Sequence, residues 1–296
     1  MAQMIYLDHN ATTPVLSEVL DAMVPYLTAE WGNPSSAYKF GSKLKSVIAT
    51  AREQVAELIG AHSMDVIFTS CATESNNAAI AAALRANPAK RHIVTSQVEH
   101  SSVLNCCMAL EKSGTPLLGR SGDFTSPPES RDGVIRSSNG GLNPPLREGA
   151  YRATYLPVDR EGMLKLADLE AAITDQTASV SLMWANNETG VLFPDTGLNG
   201  HKTQRIANTT NISSHGIESE ALLILLDKEG ICASSGSACL ADSDEPSHVI
   251  KAMKPNTADS RQMIRFSLDA ATTQEQRQLA VTAVKREVEA LSGVIS

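Results

Sequence analysis

Apolar positions recur at helical spacing between residues 43 and 60. Leu44, Val47, Ile48, Ala51, Val55, Leu58 and Ile59 fall on one face, and Gly60 follows as a residue suited to a left-handed cap, so the pattern predicts an amphipathic helix. A short β-branched run, Val66-Ile67-Phe68-Thr69, then predicts a strand, and Ala72-Thr73-Glu74 opens a helix over residues 74–86. The same logic repeats at His92-Ile93-Val94-Thr95-Ser96, with a helix near 101–113. Strand-like runs return at 153–158 and 178–183, separated by a helical Leu166–Ile173. Near the end, a helix over Glu218–Leu226 is closed by Gly230, and strands are expected at Ile231–Ser234 and Ile264–Leu268. The last helix opens with Thr272 three residues before Glu275, a capping-box pattern, and carries Val281, Val284, Val288 and Leu291 on one face. Strands alternating with helices define an α/β chain.

Two places break this order. Residues 115–150 are rich in Gly, Pro and Ser, with Ser126-Pro127-Pro128, Asn139-Gly140-Gly141 and Asn143-Pro144-Pro145, and show neither period; a disordered insertion is the expectation there. The second break follows Pro194, where Asp195-Thr196-Gly197-Leu198-Asn199-Gly200 runs directly into the segment before Asn208-Thr209-Thr210-Asn211-Ile212-Ser213.

At 296 residues the chain is long enough to bury a full core as one large or two modest domains. With 42% hydrophobic residues, 20% charged residues and a net charge of -8, it reads as a globular protein without a general nucleic-acid or anionic-membrane surface. No basic region precedes an apolar stretch near Met1 and no segment approaches a membrane span, so the cytosol is the expected location. The five cysteines form no C-x-x-C pair and no spacing suited to a closed zinc site. Cys71 and Cys232 sit in or beside apolar runs and are expected to be buried and inert; Cys106 and Cys107 lie on a helical pattern. Cys239 alone has reactive surroundings, on the small polar loop Ser234-Ser235-Gly236-Ser237-Ala238-Cys239 that runs on into Glu245-Pro246-Ser247-His248-Val249.

Taken with Ala11-Thr12-Thr13, Ala72-Thr73-Glu74-Ser75-Asn76-Asn77, Glu99-His100 and Ala185-Asn186-Asn187-Glu188-Thr189-Gly190, that loop resembles the NifS-type cysteine desulfurases, pyridoxal-phosphate enzymes of the class V aminotransferases. Skipping residues 115–150 joins Gly114 to Tyr151 in a sequence similar to an uninterrupted family member. The resemblance covers roughly residues 4–114, 151–194 and 198–292. It implies an aminotransferase-like, fold type I large domain, here incomplete, and a smaller C-terminal α/β domain. Residues 15–194 would be the remnant of the large cofactor-binding domain, and 1–14 with 198–296 the small domain that carries the Cys239 loop.

The resemblance also implies roles. Cys239 is the nucleophile that takes sulfur from L-cysteine as a persulfide, leaving alanine, and His100 stacks on the cofactor ring and moves protons. Ala72 and Thr73, at a helix N-terminus, meet the phosphate; Asn187 meets the ring oxygen. Arg265 clamps the substrate carboxylate and Asn33 lies in a substrate loop. Each residue also has a plain structural reading: His100 as a core histidine, Asn187 as part of a strand-ending turn, Arg265 as a strand's polar face, Asn33 as a turn residue. The stretch that falls out at Pro194 is the one that would carry the Schiff-base lysine and the Asp, Gln, Ser and His around it. Gly200-His201-Lys202 superficially matches the lysine motif, but no apolar strand precedes Asn199 to aim that side chain, so Lys202 is not read as its replacement.

Family members are homodimers that deliver sulfur to an acceptor or iron-sulfur scaffold protein, and both are the implied partners, with no nucleic acid and no membrane. A cofactor-free sulfur relay or scaffold, a product of aberrant splicing, and a selenocysteine lyase remain alternative readings. Because the missing stretch would carry central strands, its loss should leave sheet edges and helix faces without partners.

Overall fold

A computed structural model of the chain describes residues 4–113, 151–192, 206–214, 216–236, 247–255 and 258–295. The insertion expected at 115–150, Lys202 and Cys239 lie outside the described residues. The chain divides into two compact units, one formed by Met1–Thr12 with Ser75–Ser296 and the other by Thr13–Glu74.

In chain order the elements are β1 (Ile5–Tyr6), α1 (Ser17–Thr28), α2 (Lys39–Ser42), α3 (Leu44–Ile59), α4 (Ala72–Ala86), β2 (His92–Ser96) and α5 (Ser101–Ser113). They continue with β3 (Arg152–Leu156), α6 (Leu166–Ala172), β4 (Thr177–Val180), β5 (Thr209–Ser213), α7 (Ser219–Lys228) and β6 (Ile231–Cys232). The last are α8 (His248–Met253), β7 (Met263–Ser267) and α9 (Gln274–Ile295).

The larger unit is built on a three-stranded parallel sheet in the order β3-β2-β4. All five residues of β2 are buried, as a strand covered on both faces must be. Its side chains alternate between two cores. Ile93 packs with Ile80 and Leu84 of α4 and Val103, Cys106, Cys107 and Leu110 of α5, whereas Val94 packs on the other face with Leu156 and Leu164, supported by Leu169 of α6. The polar members of β2 are hydrogen-bonded: His92 bonds Thr177 Oγ1 at 2.9 Å and Thr154 Oγ1 at 2.8 Å, Thr95 donates to the Ser181 carbonyl at 2.9 Å, and Ser96 Oγ donates to Glu99 Oε1 at 3.1 Å.

A further core lies among shorter ladders. β1 pairs with β6 in parallel and β5 with β7 antiparallel, and isolated bridges from Asp8 to Ser267 and from Ser234 to Arg265 join the two. Leu222 and Leu226 of α7 and Ala280 and Ala283 of α9 cover Ile5, Ile231, Ile264 and Phe266. Each large apolar side chain buried here stabilises the fold by about 1.5–3 kcal/mol.

The smaller unit contains α1, α2 and α3. Gly60 ends α3 with φ +66°, the left-handed cap its position predicts. α1 buries no residue and leaves Val19, Leu20, Met23 and Leu27 exposed. The expected strand at Val66–Thr69 does not form: the segment pairs with no described strand and Ile67 is 81% exposed, because a β-branched run becomes a strand only beside a sheet edge.

Two local expectations are also corrected. Cys71 is exposed rather than buried, at the start of α4, where hydrogen bonds from the Glu74 and Thr73 backbone and from Ser70 lower its pKa. The capping box of α9 forms one residue later than expected. Thr273 N donates to Gln276 Oε1 at 2.9 Å and Gln276 N to Thr273 Oγ1 at 3.2 Å, whereas Thr272 Oγ1 bonds Asp269 at 3.1 Å.

Candidate active site

The connection after β4 is organised by Asn186. Its buried Oδ1 accepts hydrogen bonds from Glu188 N at 3.0 Å, Thr189 N at 2.9 Å and Thr189 Oγ1 at 3.1 Å, while its Nδ2 donates to the Val98 carbonyl at 3.0 Å. One side chain thus closes the turn and ties it to the segment after β2. Gly190 completes the turn with φ +77°, and a Cβ there would stand 3.1 Å from the Thr209 carbonyl, so glycine suits the position on both counts. Asn187, half-buried, has its carbonyl held by Asn10 Nδ2 at 2.9 Å and Arg265 Nη1 at 3.3 Å.

The segment after β2 presents Glu99 and His100 at the start of α5. Glu99 is buried, its Oε1 accepting from Met183 N at 2.7 Å and Ser96 Oγ at 3.1 Å, and burial raises its pKa to about 6. His100 Nδ1 accepts from Ser102 N at 3.1 Å and lies 2.9 Å from Ser102 Oγ, so the neutral ring carries its proton on Nε2. Burial first, then the neighbouring His248, lower the His100 pKa, while Glu188 opposes them. The ring is therefore pinned and biased toward the neutral form, with Nδ1 occupied and Nε2–H left as a hydrogen-bond donor.

The N-terminus of α8 docks on these two segments. His248 Nε2 lies 3.0 Å from the Glu99 carbonyl and Ser247 Oγ donates to Glu188 Oε2 at 2.5 Å. The fold thereby brings together motifs that lie far apart in sequence: Glu99-His100, Asn186–Gly190 and Ser247-His248.

Arg265, on β7, is 1% exposed. Its Nη2 meets Asp8 Oδ1 at 2.6 Å, and its Nε is buried with no hydrogen-bond partner among the described residues. The Arg265 backbone pairs with Ser234, N donating to the Ser234 carbonyl at 2.6 Å, so this arginine sits at the root of the loop that leads to Cys239.

The other predicted positions belong to the smaller unit. Ala72 and Thr73 are exposed on the first turn of α4, and Glu74, of the same turn, accepts from Ser70 N and Oγ, each at 2.7 Å. Asn33 is exposed and closes a turn by accepting from Ser35 N at 2.8 Å. Sequence reasoning gave no role to Asp8, Asn10 or Glu188, although Glu188 lies within the Ala185–Gly190 motif and the other two follow the apolar run of β1.

The aminotransferase class-V family model matches residues 5–118, 146–201 and 193–279, and the chain belongs to this family. The matches break across 118–146 and overlap at 193–201, the two places where the periodic order of the sequence is interrupted. Cysteine desulfurase 2 of Trichormus variabilis is 34% identical over an alignment covering 91% of this chain and 89% of that protein. Cysteine desulfurase NifS of Azotobacter vinelandii is 30% identical, covering 96% of this chain and 91% of its own. The former alignment runs over 391 positions, more than the 296 residues present, so it bridges gaps in this chain. Among solved structures, a NifS-like protein superposes with a TM-score of 0.71 at 20% identity, covering 98% of this chain and 100% of that one. The NifS-like protein from Rickettsia africae ESF-5 gives 0.68 at 20% identity, covering 97% and 100%. The fold is aminotransferase-like.

Proposed function

We propose that this chain is a cysteine desulfurase that takes sulfur from L-cysteine and carries it as a persulfide on Cys239, with alanine as the other product. The observation that carries the reading is the convergence of the pinned, neutral-biased His100, the Asn187 turn and Arg265 at the root of the Cys239 loop. Relatives named cysteine desulfurase, at 28–34% identity, support it from outside, and one structural relative is SspA in complex with cysteine.

In this reading Arg265 orients the substrate carboxylate through its Nε, a buried donor without a partner among the described residues. Asn33, Ala72 and Thr73 keep the binding roles that the family resemblance gives them. His100 Nε2–H donates a hydrogen bond to the reacting group, and the Cys239 thiolate accepts the sulfur.

Family members depend on pyridoxal phosphate, and the described residues fit it only in part. His100 and Asn187 suit its ring, but no lysine is among the buried polar residues described, and an anchoring amine is what the group requires. Lys202 lies outside the described residues. The same resemblance supports a cytosolic homodimer that hands sulfur to an acceptor or iron-sulfur scaffold protein.

The test is the absorbance spectrum of the purified chain with pyridoxal phosphate, followed by borohydride reduction and mapping of the modified lysine. A visible band with one lysine modified supports the desulfurase. Scattered modification of exposed lysines would contradict it and favour a cofactor-free sulfur relay through Cys239.

A further inference from the structure

We propose that Ser102 and Asn76 are positioning residues, joined in a hydrogen-bonded relay that holds Nδ1 of His100 as an acceptor and keeps the ring proton on Nε2. The chemical meaning of that role rests on the desulfurase reading. His100 directly precedes α5 and serves as its N-cap: its carbonyl accepts from Leu104 N at 3.2 Å and from Val103 N at 2.9 Å. Its Nδ1 accepts from Ser102 N at 3.1 Å, so an imidazole nitrogen does here what the side-chain oxygen of a Ser or Asp cap does elsewhere. A proton on Nδ1 would face that N–H donor and break the cap.

The side chain of Ser102 adds a second hold on the same atom. Ser102 is buried, and its Oγ lies 2.9 Å from His100 Nδ1 and accepts from Asn76 Nδ2 of α4 at 2.8 Å. The amide group can only donate, so it occupies a lone pair of the hydroxyl, whose own proton is directed to Nδ1. The relay therefore has one polarity, from the Asn76 amide through the Ser102 hydroxyl to the ring. Helical spacing puts both residues in place. Asn76 lies on the face of α4 that carries Ile80 and Leu84, and Ser102 on the face of α5 that carries Cys106 and Leu110, and these four apolar side chains share one core. The polar pair thus stands at the end of an apolar seam, beside His100.

The surroundings favour a neutral ring without choosing its tautomer. Burial first, then His248 of α8, lower the His100 pKa, while Glu188 in the turn after β4 opposes them. The positive end of the α5 dipole works with the first two. None of these distinguishes Nδ1 from Nε2. The cap and the relay do, because both donors point at Nδ1 and both bonds are given up when that atom takes a proton. Ser102 and Asn76 act through the ring, from outside the reacting atoms.

The test uses the full chain with isotope-labelled histidine and needs neither cofactor nor turnover. NMR of the imidazole nitrogens across pH reads which nitrogen holds the proton and how tightly, with His100 assigned by the signals lost in His100→Gln. The wild-type neutral ring should carry its proton on Nε2. Ser102→Ala should raise the proton affinity of His100 about fivefold, the effect of losing one neutral hydrogen bond. Asn76→Ala should act in the same direction, yet add nothing in the Ser102→Ala background, because the amide reaches the ring only through the hydroxyl. Ser102→Thr keeps the hydroxyl and should restore the wild-type affinity. His92, buried in β2, reports the fold and should keep its signals in every variant. A neutral ring protonated on Nδ1, an unchanged affinity in Ser102→Ala, or additive effects of the two Ala substitutions would overturn the inference. So would loss of the His92 signals in both Ala variants, which would make the pair a prop of the whole fold. Failure of the wild type to release alanine from L-cysteine would instead defeat the desulfurase reading and leave the relay standing.

Discussion

The guanidinium of Arg265 meets the carboxylate of Asp8 at 2.6 Å and the carbonyl of Asn187 at 3.3 Å, so one buried cation joins the end of β1, the centre of β7 and the turn after β4. Removing Asp8 strands that cation. Asp8→Ala should lower stability by about 3 kcal/mol, as breaking a buried pair does, and adding Arg265→Leu should recover part of the loss. Urea unfolding of the two variants reads both effects.

Glu99 predicts a specific pH dependence. Burial raises its pKa from 4.5 to about 6, so the folded state holds the proton more tightly than the unfolded chain. The stabilisation linked to that proton is complete below about pH 4.5 and is lost as pH rises through 6, a fall of about 2 kcal/mol. Glu99→Gln should flatten this part of the stability profile; a profile unchanged by the substitution would show that Glu99 does not set it.

The two asparagines of the turn should separate cleanly. Asn186→Ala removes the acceptor of three hydrogen bonds and the donor of two more, to the Val98 carbonyl and the Met183 sulfur, and should cost about 2–4 kcal/mol. Asn187 holds its neighbours through its carbonyl, which any residue keeps, so Asn187→Ala should change stability little and weaken pyridoxal phosphate binding. Thermal melts and spectral titrations distinguish the two.

Among the described thiols, Cys71 should react first. It is exposed and its pKa is lowered, whereas burial pushes Cys106 up to about 11 and Cys107 up to about 12. Timed alkylation at pH 8 should label Cys71 within the native state and Cys106 and Cys107 only in denaturant.

Much of the scaffold was legible because its period and punctuation agree. β2 occupies His92–Ser96 and α5 occupies Ser101–Ser113, the spans their patterns predict, and Gly60 caps α3 as a residue without a Cβ should. The failures share a cause. Val66–Thr69 has strand chemistry but no described edge to pair with, β5 reads as polar Thr209-Thr210-Asn211 and gains its identity from β7, and Cys71 was judged by its apolar neighbours rather than by the helix start it occupies. The motifs of the candidate site stand out in the sequence, yet the bonds that join them, Asn186 to Val98 and His248 to Glu99, cross 88 and 149 residues. No local pattern encodes such distances.

The most direct measurement is to incubate the full chain with pyridoxal phosphate and L-cysteine, quantify alanine, and map sulfur addition by mass spectrometry in wild type and in Cys239→Ser. The desulfurase account predicts alanine together with one extra sulfur on Cys239, removable by a thiol reductant and lost in the variant. No alanine with Cys239 unmodified, or sulfur on the other cysteines alone, would contradict it.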